Sequence, residues 1–379
     1  MIDDLLEDYS RQLQTSGLHR QRRLLPSLSK PSLNFSSNDY LSLTEDKRIK
    51  NAFQRGFRLY PSGSGGSMVI CGYHSIHKEL ETAFSQALEV DDALLFSSGY
   101  AANLGVISLL ARVGAHLYID KGIHASVYDG IQLCNARYTR FLHNNLDDLH
   151  IKLLANDANA VLLTEGIFSM SGQIAPLSEI KTLSRPVQAK IIVDEAHAFG
   201  VLGDQGLGAV PAHQLTQNDV PLRIIPFGKA FASQGAIVVG KKIWIDALLQ
   251  VARSHIYSTA VSPAIAYGLL ETFAVLRESG EKREKLFKMI DYFHKAATHS
   301  PLTWRHSITP IQQLQLSCPH KALYYAEQLR QRGIFCQALR KPTVNKKDTG
   351  LRVILNYHHT PEDIDILFTQ LHHIYESEH

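Results

Sequence analysis

Between about residue 75 and residue 240, short apolar runs alternate with longer stretches of helical period. The runs are Ala93–Ser97, His116–Asp120, Ala160–Thr164, Lys190–Asp194, Leu222–Ile225 and Ala236–Gly240. They are continuous rather than alternating, as strands buried on both faces are, and strands separated by helices predict a largely parallel sheet in an α/β fold. Ser262 followed by Pro263 has the chemistry of a helix start. The apolar positions Leu269, Leu270, Phe273, Val275 and Leu276 carry that helix to a break at Ser279–Gly280. Beyond the break, helical stretches near 283–297 and 320–332 flank strand-like Ile308–Ile311 and Leu351–Leu355, and Thr360–Asp363 opens a last helix with a capping box. Residues 1–40 read as a polar amphipathic helix and then a short strand from Leu33 that ends in turn residues. The expected organisation is an N-terminal arm (1–40), a large α/β domain (41–279) and a small α+β domain (280–379).

Length and composition narrow the function class. A chain of 379 residues exceeds one typical domain and can bury a large core without staples. The formal charge of +3, from 39 basic and 36 acidic residues, lacks the concentrated excess of a nucleic-acid binder, and its one dense basic run, Arg20–Arg23, is short. Cys71, Cys134, Cys318 and Cys336 are far apart, so neither a zinc site nor a disulfide framework is expected and a reducing cytoplasm fits. The acidic start and the lack of any long apolar run predict neither a signal peptide nor a membrane span. His358, His359, His372 and His373 have no Glu or Cys framework for a metal and read as surface residues.

Three residues carry the candidate chemistry. Asp194 ends an apolar strand, His197 follows at Asp-x-x-His spacing, and Lys229 follows the next strand but one turn later. Pyridoxal phosphate needs a lysine amine to hold it covalently and a carboxylate to keep its ring nitrogen protonated as an electron sink. A buried carboxylate needs a cationic or hydrogen-bonding partner, which the ring nitrogen would supply; an ordinary helix N-cap is the competing explanation of Asp194. Ser98, Gly99 and Tyr100 join a strand to a helix start, where free amides and the helix dipole suit a phosphate. His124 follows another strand and is placed to stack on the ring. The stretch Ser62–Ser67 lacks the trailing Lys-Ser/Thr of a nucleotide loop. Arg352, on a C-terminal strand with Thr343 before it, is suited to holding a carboxylate.

The segments Asn34–Leu41, Gly63–Ser67, Thr164–Met170, Asp194–His197 through Gly208, His255–Thr259 and Arg340–Thr343 give the chain its resemblance to the α-oxoamine synthases. That resemblance spans nearly the whole chain and implies a fold-type I pyridoxal-phosphate transferase joining an amino acid to an acyl thioester with loss of carbon dioxide. It implies Lys229 as the cofactor lysine, Asp194 at the ring nitrogen, His197 at the ring hydroxyl and His124 on the ring face. Ser169 is implied near the cofactor, Gly99 and Tyr100 as its backbone contacts, and Ser258 and Thr259 as reaching a neighbouring subunit's phosphate, hence a homodimer. Arg20, Asn38, Thr343 and Arg352 are the implied substrate residues. Within the family the likeness is greatest to members of biotin synthesis that take L-alanine and a pimeloyl thioester, carried on CoA or on a carrier protein.

Two positions depart from the family pattern. Pro226 stands three residues before Lys229, where relatives commonly have Thr or Ser, and Met68 and Val69 follow the glycine stretch where relatives often have a small residue and then Arg or His. Other readings remain open: the same chemistry on glycine or serine with another acyl group, an aminotransferase or desulfurase, or a binding protein without catalysis.

Overall fold

The computed structural model describes residues 1–22, 24, 33–154, 158–341 and 343–378; Arg23 of the basic run and Pro342 lie outside the described residues. The chain forms two compact units. One comprises Asn38–Ser169 and Gln173–Glu284, the other Met1–Ser37, Met170–Gly172 and Lys285–His379. The dividing point after Glu284 falls inside the helix Gly280–Thr298. Among the described residues, no helix is long and apolar enough to cross a membrane.

The first unit is built on a seven-stranded sheet. In chain order its strands are β1 (Asp92–Phe96), β2 (His116–Asp120), β3 (Tyr138–Phe141), β4 (Ala160–Glu165), β5 (Lys190–Asp194), β6 (Leu222–Pro226) and β7 (Ala236–Gly240), arranged β1-β7-β6-β5-β4-β2-β3. Every pairing is parallel except the two made by β7. The reason is chain length: parallel neighbours need a crossover of about a dozen residues or more, and residues 227–235 are too few. The chain therefore doubles back in a tight loop, and that loop holds Lys229. The apolar runs became strands as expected, because Leu, Ile and Val side chains pack on both faces; Leu117, Ile119, Leu163, Ile192, Ile224 and Val238 form one core with the helix Gly99–Arg112. β3 was not expected. Its sequence Tyr-Thr-Arg-Phe is polar and mostly solvent-facing, as an edge strand permits.

An aromatic cluster lies beside the Lys229 loop. Phe84 stacks on Phe273 with centroids 4.0 Å apart and also meets Phe199, Phe227 and Phe231. Phe227 and Phe231 bracket Lys229, and Phe199 follows His197 by two residues, so the cluster fixes both segments against the helices Ser75–Ala87 and Pro263–Glu278. Ser262 does stand at the N-cap of the latter helix, but its hydroxyl bonds the Pro61 carbonyl and not the helix.

The second unit holds a four-stranded antiparallel sheet of β8 (Trp304–Arg305), β9 (Ile311–Gln315), β10 (Gln337–Leu339) and β11 (Gly350–Ile354), ordered β10-β11-β9-β8. Leu33–Asn34 pairs in parallel with Ile334–Phe335 in the same unit. The strand expected at Ile308–Ile311 begins only at Ile311, because Pro310 has no N–H for a ladder and Ser307 and Thr309 direct their hydroxyls to the Gly172 carbonyl. His359 is not a surface residue: it is buried, stacks on Phe35 at 4.2 Å, and accepts the Asn356 amide at Nδ1, with burial pushing its pKa down to about 4. The capping box at Thr360 and Asp363 forms as expected.

Phe84→Ala should lower the unfolding free energy by about 3–5 kcal/mol, as removal of a buried phenylalanine usually does. A denaturant titration measures this; a loss below about 1 kcal/mol would mean that the cluster closes over the gap.

Candidate active site

Strand direction gathers the candidate residues at one edge of the large sheet. Ser98 and Gly99 follow β1, His124 follows β2, Ser169 follows β4, Asp194 closes β5, and Lys229 follows β6. This is the carboxyl edge, where α/β sheets ordinarily take ligands. Asp194 and Glu195 are adjacent in sequence yet have different partners. Glu195 receives the Ala209 amide at 2.7 Å, the Val210 amide at 3.0 Å and the Arg223 guanidinium at 3.0 Å. Asp194 is buried and receives only neutral donors among the described residues: Asn103 Nδ2 on Oδ2 and the Ala196 amide on Oδ1, each at 2.9 Å. A buried carboxylate without a protein cation suits a cationic ligand.

His124 caps the helix Ala125–Cys134. Its Nδ1 accepts the Ser126 amide and lies 2.8 Å from the Ser126 hydroxyl, which leaves the proton of the neutral ring on Nε2. Desolvation lowers its pKa; Asp194 opposes that shift and Lys229 adds to it, so these three groups feel one another's charge. His197 is buried, with Nδ1 2.5 Å from the Tyr40 hydroxyl, and that hydroxyl in turn lies 3.4 Å from Asn38 Oδ1. Lys229 is half-buried; its loop closes through Phe227 N to Gly235 O, Ser233 N to Phe227 O and Ala232 N to Lys229 O. Ser169 is buried and donates its amide to Glu165 at 3.2 Å.

At the start of the helix Gly99–Arg112, the Ser98 hydroxyl caps the Ala101 amide, while the Gly99 and Tyr100 amides have no intrahelical acceptor. The Tyr100 side chain is exposed and its hydroxyl donates to Asp129. The ring of Pro226 lies directly against Gly99: a Cβ there would stand 2.5 Å from Pro226 Cγ. Ser258 and Thr259 follow the short helix Arg253–Ile256, and their segment is tied to the glycine stretch by the Ala260 amide on the Gly66 carbonyl at 2.9 Å. Arg20, Thr343 and Arg352 belong to the second unit, where all three line one cavity of about 780 Å³. Arg340 in that unit holds the arm, donating to the carbonyls of Gly17 at 2.6 Å and His19 at 2.9 Å.

A family profile described as aminotransferase class I and II matches residues 30–371. The chain belongs to that family. It is 36% identical to the 8-amino-7-oxononanoate synthase of Pseudomonas syringae pv. syringae (strain B728a), over 94% of this chain and 92% of the relative. A solved 8-amino-7-oxononanoate synthase from Francisella tularensis is 30% identical and superposes with a TM-score of 0.82, covering 92% of this chain and 98% of that one. A serine palmitoyltransferase from S. paucimobilis, solved with PLP and myriocin bound, is 26% identical with a TM-score of 0.91, covering 99% and 97%. The resemblance to the α-oxoamine synthases and the fold-type I transferase architecture both hold.

The donor set in the first unit suits pyridoxal phosphate. It offers a lysine amine, a buried carboxylate lacking a protein cation, a helix start with free amides and an imidazole beside them. Three of its members were not picked out from the sequence. Tyr40 and Asn103 touch His197 and Asp194 from 157 and 91 residues away in the chain, separations that no local pattern reports. Glu165 lies inside the Thr164–Met170 segment, where an acidic residue after a strand reads as a turn or cap.

Gly99→Ala should destabilise the protein by about 1–3 kcal/mol through overpacking against Pro226. Thermal unfolding in wild-type and Pro226→Ala backgrounds tests the cause. Equal losses in both would remove the Pro226 contact as the reason.

Proposed function

We propose that this chain catalyses the pyridoxal-phosphate-dependent condensation of L-alanine with a pimeloyl thioester, releasing carbon dioxide and giving 8-amino-7-oxononanoate. The observation that carries the reading is the near full-length identity to curated 8-amino-7-oxononanoate synthases, from 35% to 39%. The donor set at the sheet edge supports it.

Bound pyridoxal phosphate supplies an electron sink for charge developing at the amino acid's α-carbon. Asp194, already held by Asn103 and the Ala196 amide, would be the partner of the ring nitrogen. His197 would serve the ring hydroxyl, with its Nδ1 against the Tyr40 hydroxyl. Gly99 and Tyr100 would present backbone amides to the phosphate, with Ser169 as a further cofactor residue, and His124, oriented by its own helix cap, would stack on the ring. The Lys229 amine would hold the cofactor covalently and would serve as general base for the amino acid's α-proton. Arg352 and Thr343 hold the amino-acid carboxylate, Arg20 the acyl substrate, and Asn38 contributes to substrate binding. Ser258 and Thr259 serve the phosphate of a second subunit, so the working form is a homodimer; the cytoplasm is its compartment.

The likeness to serine palmitoyltransferase favours one alternative, the same chemistry on serine with a long-chain acyl thioester. Incubating the protein and cofactor with L-alanine and pimeloyl-CoA, and separately with L-serine and palmitoyl-CoA, decides by mass spectrometry of the products. Formation of 8-amino-7-oxononanoate only in the first mixture is expected; turnover of the second mixture alone would sink the proposal.

Lys229→Ala should abolish turnover and also the covalent cofactor adduct found by mass spectrometry after borohydride reduction. A retained adduct would remove Lys229 from its assigned role. Arg352→Ala should raise the KM for alanine about tenfold or more, the scale of a lost hydrogen bond to a charged group, while the KM for the thioester changes little. An unchanged alanine KM would detach Arg352 from the carboxylate.

A further inference from the structure

Glu165 is a buried acid that the mechanism above does not use. It ends β4, is 2% exposed, and pairs in parallel register with Asp194 on β5, so two carboxyls meet at the same level of the sheet. Its Oε2 accepts the Ser169 amide at 3.2 Å. Its Oε1 is buried and has no hydrogen-bond partner among the described residues. No lysine or arginine is ion-paired with it among those residues; Arg223, the buried cation nearby in the sheet, is committed to Glu195.

The groups that face it are mostly acidic. Asp194 comes from β5 and Asp120 from the end of β2; each disfavours a further negative charge here, and the backbone of His124 opposes that shift. A charge on Glu165 would be desolvated, beside two other carboxyls, and answered by the Ser169 amide. Like-charged buried carboxyls resolve such conflict by keeping one proton. Asp194 has a donor on each oxygen, where Glu165 has one oxygen without a hydrogen-bond partner among the described residues. Burial first, and Asp194 second, raise the Glu165 pKa well above the ordinary carboxylate range.

We propose that Glu165 is a positioning residue, an uncharged carboxylic acid that anchors the backbone at Ser169 and leaves Asp194 as the ionised carboxyl for the cofactor's ring nitrogen. The proposal rests on the reading of this edge as a pyridoxal-phosphate site. The proton resides on Oε1, the oxygen no amide reaches, and Oε2 acts as the carbonyl acceptor. One side chain thereby ties the end of β4 to the loop that follows it. Glutamine has the same shape and charge as the protonated acid and retains the acceptor; alanine has neither.

Infrared spectroscopy of the full-length protein, without cofactor and at neutral pH, tests the ionisation state directly. The wild type should show a protonated-carboxyl band that Glu165→Gln removes. Its absence would overturn the proposal. Titration with pyridoxal phosphate then tests the positioning role. Glu165→Gln should bind within about twofold of wild type and Glu165→Ala about tenfold or more weakly, the scale of a buried amide left without its acceptor. Equal weakening in both variants would overturn the uncharged-anchor role, as would wild-type binding by the alanine variant. A wild-type protein that takes up no pyridoxal phosphate would overturn the cofactor reading and the positioning role with it, while the infrared band reports on Glu165 independently of either.

Discussion

The first unit is organised by the problem of two consecutive buried carboxylates at the end of its central strand. Burying an ion costs several kcal/mol unless a partner compensates it, and Asp194 and Glu195 solve this differently. Glu195 is answered within the protein by Arg223 and the amides of Ala209 and Val210, which also pins the segment after Gly208. Among the described residues Asp194 is answered only by neutral donors, so its charge remains available. The helix Gly99–Arg112 therefore has two duties: Asn103 steadies Asp194, and its first turn leaves amides unpaired.

Much of this was legible in the sequence because it is written locally. Continuous apolar runs specify buried strands, so the strands through Asp194 and Pro226 stood where hydrophobicity placed them. The capping box at Thr360 is equally local. What escaped was of two kinds. Weak elements escaped because little burial supports them, as with the solvent-facing edge strand Tyr138–Phe141, or because Pro310 delays a strand that composition alone would start earlier. Nonlocal polar contacts escaped because a residue's type does not name its partner: Tyr40 reads as a core aromatic until His197 is found at its hydroxyl.

His359 illustrates the same limit from the opposite direction. Histidines near the end of a chain are ordinarily solvated, yet this ring is held flat against Phe35, and its neutral form accepts a backbone amide. The contact joins the residues after Leu33–Asn34 to the C-terminal part of the second unit, reinforcing the parallel pairing with Ile334–Phe335. Arg340 does the comparable work farther up the arm, through carbonyls at Gly17 and His19. An arm whose helix, Ile2–Thr15, buries no residue is thus secured beyond that helix and not by it.

The ring of Pro226 against Gly99 has an electrical consequence. A hydroxylated side chain at that position would add a donor but would also bring water and a reorienting dipole to the helix start. The pyrrolidine ring is apolar and fixed, and it lies within contact of the glycine that begins the first turn. Polar screening falls where water is displaced, so the field of the unpaired amides reaches an anion with less attenuation. The Pro226 ring thus sets a fixed apolar surface against the start of that first turn.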